Sequence, residues 1–285
     1  DAFLATIGSC LGTISRIIAK QQGITLEKMV FIVSGEIDVD VLLGPTINIH
    51  RHPLGGRHFE CFSEDPFLTG KVAIEYVKGV QSKNIAACLK HFVGNDTEFE
   101  RYTVSSNIDE KTLREIYLLP FEMAIKEANA KVVMSAYNKL NNIYCSSHEN
   151  LLIDILKNEW QFDGYVVSDW GAARETIENA NGGLDLEMPG PAKSWGTNLI
   201  TAVNNKEVSE ELINNKIERI LNVASFCKRF ENPIRKPESG NDSKPQRTLL
   251  KNAAQEGMVL LKNDGILPIE KDINSIGVIG PNAEK

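Results

Sequence analysis

From about residue 39 the chain alternates between short apolar, β-branched runs and longer stretches in which apolar positions recur every three or four residues. The short runs predict strands over 39–49 (VDVLLGPTINI), 86–92 (AACLKHF), 131–138 (KVVMSAYN), 164–170 (GYVVSDW) and 184–189 (LDLEMP). The longer stretches predict helices over 66–83, 109–128, 148–160 and 172–182. In 109–128 the first turn is acidic, which suits the positive end of a helix, and Leu113, Ile116, Tyr117, Phe121 and Ile125 form the stripe that would pack on a sheet. Strand and helix in regular alternation predict a parallel sheet or barrel.

Two more helical patterns follow, the second over 209–230 with Leu212, Ile213, Ile217, Ile220, Leu221 and Val223 as its apolar stripe. Periodicity then breaks over 231–247, where three prolines and mixed charge read as a linker. Beyond it, 248–263 reads as a helix and 275–283 (SIGVIGPNA) as a strand. The expected organisation is a (β/α)8 TIM-type barrel over 1–230, a linker over 231–247 and the start of a second domain over 248–285. Five legible strands are fewer than the eight of a closed barrel, and residues 1–38 show only weak patterning. The barrel is therefore expected to be incomplete at its N-terminus, or to carry there strands that the pattern does not reveal.

With 285 residues, 42% hydrophobic and 24% charged, the chain can bury a large core. A net charge of -7 and the absence of any Lys/Arg cluster argue against nucleic acid and anionic membrane as partners. No apolar run of about 18 residues, the length that spans a bilayer, is present. The opening residues lack the pattern of a signal peptide, and the compartment and oligomeric state stay open. Cys10, Cys61, Cys88, Cys145 and Cys227 are scattered without a C-x-x-C pair, which fits free thiols better than metal ligands or disulfides. Asn95 and Asn241 each open a short glycosylation sequon, a pattern common by chance.

Polar residues collect at the carboxyl end of every expected strand, where an α/β barrel builds its site. The first strand leads to Arg51, Arg57, Glu60, Glu64 and Asp65. The second ends on Lys90 and His91, followed by Asn95, Asp96 and Arg101. The third ends on Tyr137 and Asn138, the fourth on Asp169 and Trp170, and the fifth carries Asp185 and Glu187. Fixed charges beside an aromatic wall suit a sugar, whose hydroxyls donate and accept while its ring face is apolar. Each residue also has a plain structural reading: Asp169 as cap of the next helix, Arg57 in an ion pair with Glu64 or Asp65, Tyr137 as core, Asp185 as a brace of the rim. No phosphate-loop spacing and no helical His-carboxylate zinc motif appears, so neither metal nor cofactor is expected.

The segments from LLGPTINIHRHPLGGRHFECFSEDP through LKHFVGN, VMSAYN and YVVSDW to GLDLEMPGP, in this order and spacing, resemble the β-glucosidases of glycoside hydrolase family 3. EGMVLLKNDGILPI followed by IGVIGPNA is similar to the opening of that family's second, α/β-sandwich domain. The resemblance implies a retaining β-glucosidase acting on a β-glucoside or cello-oligosaccharide through a covalent glycosyl-Asp intermediate. By it, Asp169 is the nucleophile, while Arg57, Lys90, His91, Arg101, Tyr137 and Trp170 bind or frame the sugar.

It also implies that the acid/base Glu belongs to a more C-terminal region. A Gly-Pro-Asp-type segment has no match in residues 1–38, and the chain is therefore expected to be part of a longer enzyme. The hexosaminidase branch carries a His soon after the Lys-His pair; here the next one after His91 is His148, which argues against that branch. A β-xylosidase, or an inert piece lacking its acid/base domain, remains the alternative.

Overall fold

The structure is a computed structural model that describes residues 35–36, 40–232, 239–240, 243–280 and 283. Its centre is a parallel sheet of β1 (Val41–Leu42), β2 (Ala86–Phe92), β4 (Val132–Ser135) and β7 (Tyr165–Ser168), adjacent in that order. Leu186 adds a parallel bridge to Val167, so a fifth segment continues the series. Neighbours in space are thus successive in sequence, without the reversal that marks a doubly wound sheet. This is an arc of an α/β barrel. Three short strands, β3 (Ser105–Ser106), β5 (Lys139–Leu140) and β6 (Ile143–Tyr144), form a separate small sheet above it.

β4 and β7 are buried at every residue, as expected of parallel strands covered on both faces. Ala87, Leu89, Val133 and Val166 belong to the larger core with the helices α1 (Pro66–Gln81), α2 (Leu119–Ala128) and α3 (Asn150–Glu159, π-helical). The alternate residues Ala86, Cys88, Val132, Met134, Tyr165 and Val167 form a second cluster with Val223 of α6 (Glu210–Phe226). Shorter helices include α4 (Ile177–Asn181) and α5 (Thr197–Asn204). Asp65 starts α1 by accepting the amides of Phe67 and Leu68, with Pro66 in the first turn.

Most expected elements fall within a few residues of their sequence limits, but the strand expected over 39–49 is limited to Val41–Leu42 and a parallel bridge from Thr46 to Lys90. The expected strand over 184–189 is reduced to the Leu186 bridge, and the cause is a side chain. Asp185 Oδ2 accepts the Val166 amide at 2.8 Å, taking a donor that a regular ladder would use. Residues 1–34 and 37–38, part of the weakly patterned segment that could carry further strands, lie outside the described residues, as do Val39, Cys10 and Asn241. Among the described residues Cys88, Cys145 and Cys227 are free thiols, and no helix is long and apolar enough to cross a membrane.

Helix α7 (Lys244–Gly257) begins inside the expected linker, with Pro245 in its first turn. The strand expected from 275 onward is not formed over 275–280. Ile276, Val278 and Ile279 are exposed, and among the described residues no neighbouring strand supplies hydrogen bonds.

Close approach at the start of β7 depends on one glycine. A Cβ on Gly164 would sit 2.0 Å from the carbonyl oxygen of Lys131, which precedes β4. Gly164→Ala is expected to lower unfolding free energy by about 3 kcal/mol in urea titration, since no flexible group can yield there. An unchanged midpoint would show that the two strands can separate freely at this end.

Candidate active site

The sheet delivers polar side chains to one end. Lys90 and His91 sit near the end of β2, Tyr137 lies two residues beyond β4, and Asp169 directly follows β7. Asp169 is 7% exposed. Its amide donates to Ser135 O at 3.2 Å, tying it to β4, and Oδ1 accepts the Trp170 amide at 2.7 Å. The next helix, α4, starts only at Ile177, so Asp169 does not cap it. Oδ2 is buried and without a hydrogen-bond partner among the described residues.

The nearest basic atom to Oδ2 is His91 Nε2, at 3.6 Å. Asn48 determines why this is no hydrogen bond. Asn48 Oδ1 accepts the His91 amide at 2.8 Å while Nδ2 donates to His91 O at 2.9 Å, which orients the amide group. The same Oδ1 lies 3.1 Å from His91 Nδ1, so Nδ1 carries the proton. Burial, helped by the charges of Arg57, Lys90 and Arg101, holds the His91 pKa well below its ordinary value. The ring is neutral, and Nε2 presents a lone pair toward the carboxylate. Both atoms can accept a hydrogen bond from a ligand.

Burial also pushes the Asp169 carboxyl above the usual Asp range, opposed by the Trp170 amide, the Tyr137 hydroxyl and the charges of Arg57 and Lys90. Tyr137 is itself buried and donates to Trp170 O at 3.0 Å. Arg101 stacks over the Tyr102 and Tyr137 rings, each 4.9 Å away, and pairs with Glu98 at 2.6 Å. Trp170 is 41% exposed at the edge of this group.

Arg57 is held from below. Its Nε donates to Glu60 Oε1 at 2.5 Å, while Glu60 Oε2 accepts from Thr46 Oγ1 at 2.6 Å and lies 4.0 Å from Lys90 Nζ. Burial works against ionisation of Glu60, but the bonds from Arg57 and Thr46 outweigh it and hold its pKa below the usual value. Glu60 is therefore a fixed anion.

The structure thus brings together all seven residues singled out: Arg57, Lys90, His91, Arg101, Tyr137, Asp169 and Trp170. The partner of Arg57 is Glu60 in place of Glu64 or Asp65, and Asp65 serves as a helix cap. Asp185 is enclosed with Lys157 and Lys216, and Glu187 accepts the amides of Lys193, Ser194 and Trp195 at 2.7–2.9 Å. Both are structural.

Asn95 is buried, which rules it out as an accessible glycosylation acceptor. Thr46 and Asn48 were missed by sequence reasoning. Their signal was the alternation of TINI, which sends Thr46 and Asn48 to the face opposite Ile47 and Ile49.

Residues 13–223 match the Glycosyl hydrolase family 3 N terminal domain. The chain belongs to glycosyl hydrolase family 3. A β-glucosidase of Rhizobium radiobacter is 51% identical over 244 residues, which are 85% of this chain and 30% of that protein. Thermostable β-glucosidase B of Acetivibrio thermocellus is 47% identical over 87% of this chain and 32% of its own length. The crystal structure of a Kluyveromyces marxianus β-glucosidase in complex with glucose superposes with a TM-score of 0.77 at 39% identity, covering 94% of this chain and 32% of that one. This family 3 chain therefore spans about a third of the length of such relatives.

Proposed function

We propose that this family 3 chain carries the sugar-binding and nucleophilic half of a retaining β-glucosidase site, with Asp169 as the nucleophile. The observation that carries the reading is Oδ2 of Asp169, a buried carboxylate oxygen without a hydrogen-bond partner among the described residues, 3.6 Å from His91 Nε2 and in the field of the Arg57 and Lys90 charges. In the proposed reaction Asp169 attacks the anomeric carbon as its bond to the leaving oxygen breaks, and water then cleaves the glycosyl ester. Lys90, Arg57 and Arg101 supply donors for sugar hydroxyls, His91 Nε2 an acceptor, and Trp170 a platform for the ring face.

Protonation of the leaving group needs a second carboxyl group. Glu60 is unsuited to this, because its bonds to Arg57 and Thr46 hold it ionised. The domain division that accompanies this reading is barrel to residue 230, linker over 231–247, and a separate unit from 248.

A donor whose leaving group requires no proton tests Asp169 directly. Incubation with 2-deoxy-2-fluoro-β-glucosyl fluoride is expected to add one sugar to the intact mass. The labelling rate should fall as Asp169 is protonated, on an acid limb lying above the usual Asp range. Folded protein that gains no mass would contradict the reading; labelling only by the corresponding xylosyl donor would move the substrate to xylosides.

A further inference from the structure

We propose that Glu60 is a positioning residue: it holds Arg57 and Lys90 as a preset cationic pair and keeps Lys90 from closing an ion pair on Asp169, so that Oδ2 stays open. The inference rests on Asp169 being the group that must remain accessible. Two cations beside a buried carboxylate would ordinarily collapse onto it, since an ion pair in a dry site is strong when its geometry is good. Here they do not. Arg57 Nε bonds to Glu60 Oε1 at 2.5 Å and Lys90 Nζ faces Glu60 Oε2 at 4.0 Å, while Asp169 Oδ2 has no hydrogen-bond partner among the described residues.

Glu60 is itself anchored, by the Thr46 hydroxyl at 2.6 Å and by burial to 9% exposure. Thr46 bridges directly to Lys90 in the sheet, so the anchor and the lysine share one backbone frame. The result is a triangle of charges in which the cations have a standing partner other than the reactive carboxylate. Donors left over on Arg57 and Lys90 can then meet sugar hydroxyls without first breaking a bond to Asp169. A carboxylate spent on an ion pair would be a weaker nucleophile, because its lone pairs would already be engaged.

A double-mutant cycle tests this without any sugar. The 13Cγ resonance of Asp169, assigned by its loss in Asp169→Asn, is titrated in the parent, Glu60→Gln, Lys90→Met and the double variant. In Glu60→Gln, Lys90 should close on Asp169, and the titration midpoint should fall by about one pH unit or more. Adding Lys90→Met to Glu60→Gln should raise the midpoint far more than the same change does in the parent, because only there is the pair closed. Equal rises in the two backgrounds would overturn the proposal, as would an unmoved midpoint in Glu60→Gln. If Glu60→Gln does not unfold cooperatively, Thr46→Val, which removes only the anchor of Oε2, should shift the midpoint in the same direction by less, and no shift would again overturn it. The titration does not depend on turnover, so failure of labelling by the fluorosugar would count against the glucosidase reading and leave this result intact.

Discussion

Asp169→Asn is expected to abolish covalent labelling by the fluoroglucosyl donor, with a rate at least on the order of 10^4-fold below the parent, the scale seen when a nucleophile is removed. The same variant is expected to be more stable at neutral pH. Asn keeps the acceptor for the Trp170 amide, held at 2.7 Å in the parent, so the local turn survives. It removes a buried carboxylate whose pKa is raised, first of all by burial.

Because the folded carboxyl keeps its proton to higher pH than the unfolded one, the folded state binds more protons between the two values. The contribution of Asp169 to stability therefore falls as pH rises through that window, and at neutral pH its charged form is a net cost. Thermal unfolding should show Asp169→Asn above the parent at pH 7, with the gap shrinking as pH falls through the window between the folded and unfolded values. Full labelling of the variant would exclude Asp169 as the nucleophile; a lower stability at pH 7 would mean that its charge is satisfied in the fold after all.

The pairing of lost reactivity with gained stability is what distinguishes a reactive group from a structural one, and it explains which parts of the site could be read from the sequence. Asp169, Lys90, His91 and Tyr137 were legible because each terminates or closely follows an apolar run, where a polar side chain has little structural reason to stand. Their coincidence at one end of successive strands is a pattern in the sequence alone. Glu60 was legible only as one of several charges in a loop. Its role comes from contacts with Thr46 and Lys90, which are 14 and 30 positions away, and no local pattern encodes those.

The fold shows the same division. VVMS and YVVS are strands because each carries paired valines and is buried at every residue, which leaves few alternatives. LDLEMP has a similar pattern, yet its Asp185 bonds to the backbone of β7 and interrupts the ladder. SIGVIG is apolar enough for a strand, but over 275–280 it has no strand to pair with among the described residues. Strand formation is a property of two segments, and a sequence window contains only one.

Asp185→Asn is expected to cost about 4 kcal/mol of stability, the scale for removing one partner of a buried ion pair. Its side chain is fully enclosed, with Oδ1 at 2.7 Å from Lys157 Nζ and 3.9 Å from Lys216 Nζ. Lys157 also donates to Gly183 O at 2.7 Å and Lys216 to Leu184 O at 2.6 Å, so α3 and α6 are both fastened to the segment that leads to Leu186. Asn preserves an acceptor for the Val166 amide but removes an anion that the two lysines share.

Burial already lowers both lysines, with Lys216 brought down to about 8 from an ordinary 10.5, and Asp185 opposes that fall. Without it they must release protons at still lower pH. Across the window between the variant's values and about 8, the folded parent binds more protons than the folded variant, while the unfolded chains bind equally. The variant's stability therefore climbs faster with pH than the parent's, and its deficit shrinks as pH rises. Urea unfolding at pH 6 and pH 8.5 should show the larger loss at pH 6. Replacing both lysines by Met alongside Asp185→Asn should recover most of it, because a buried charge network is commonly replaceable by apolar side chains of similar volume. A loss below about 1 kcal/mol, or one that is equal at the two pH values, would mean that solvent reaches this cluster and that packing alone secures the fifth segment of the barrel.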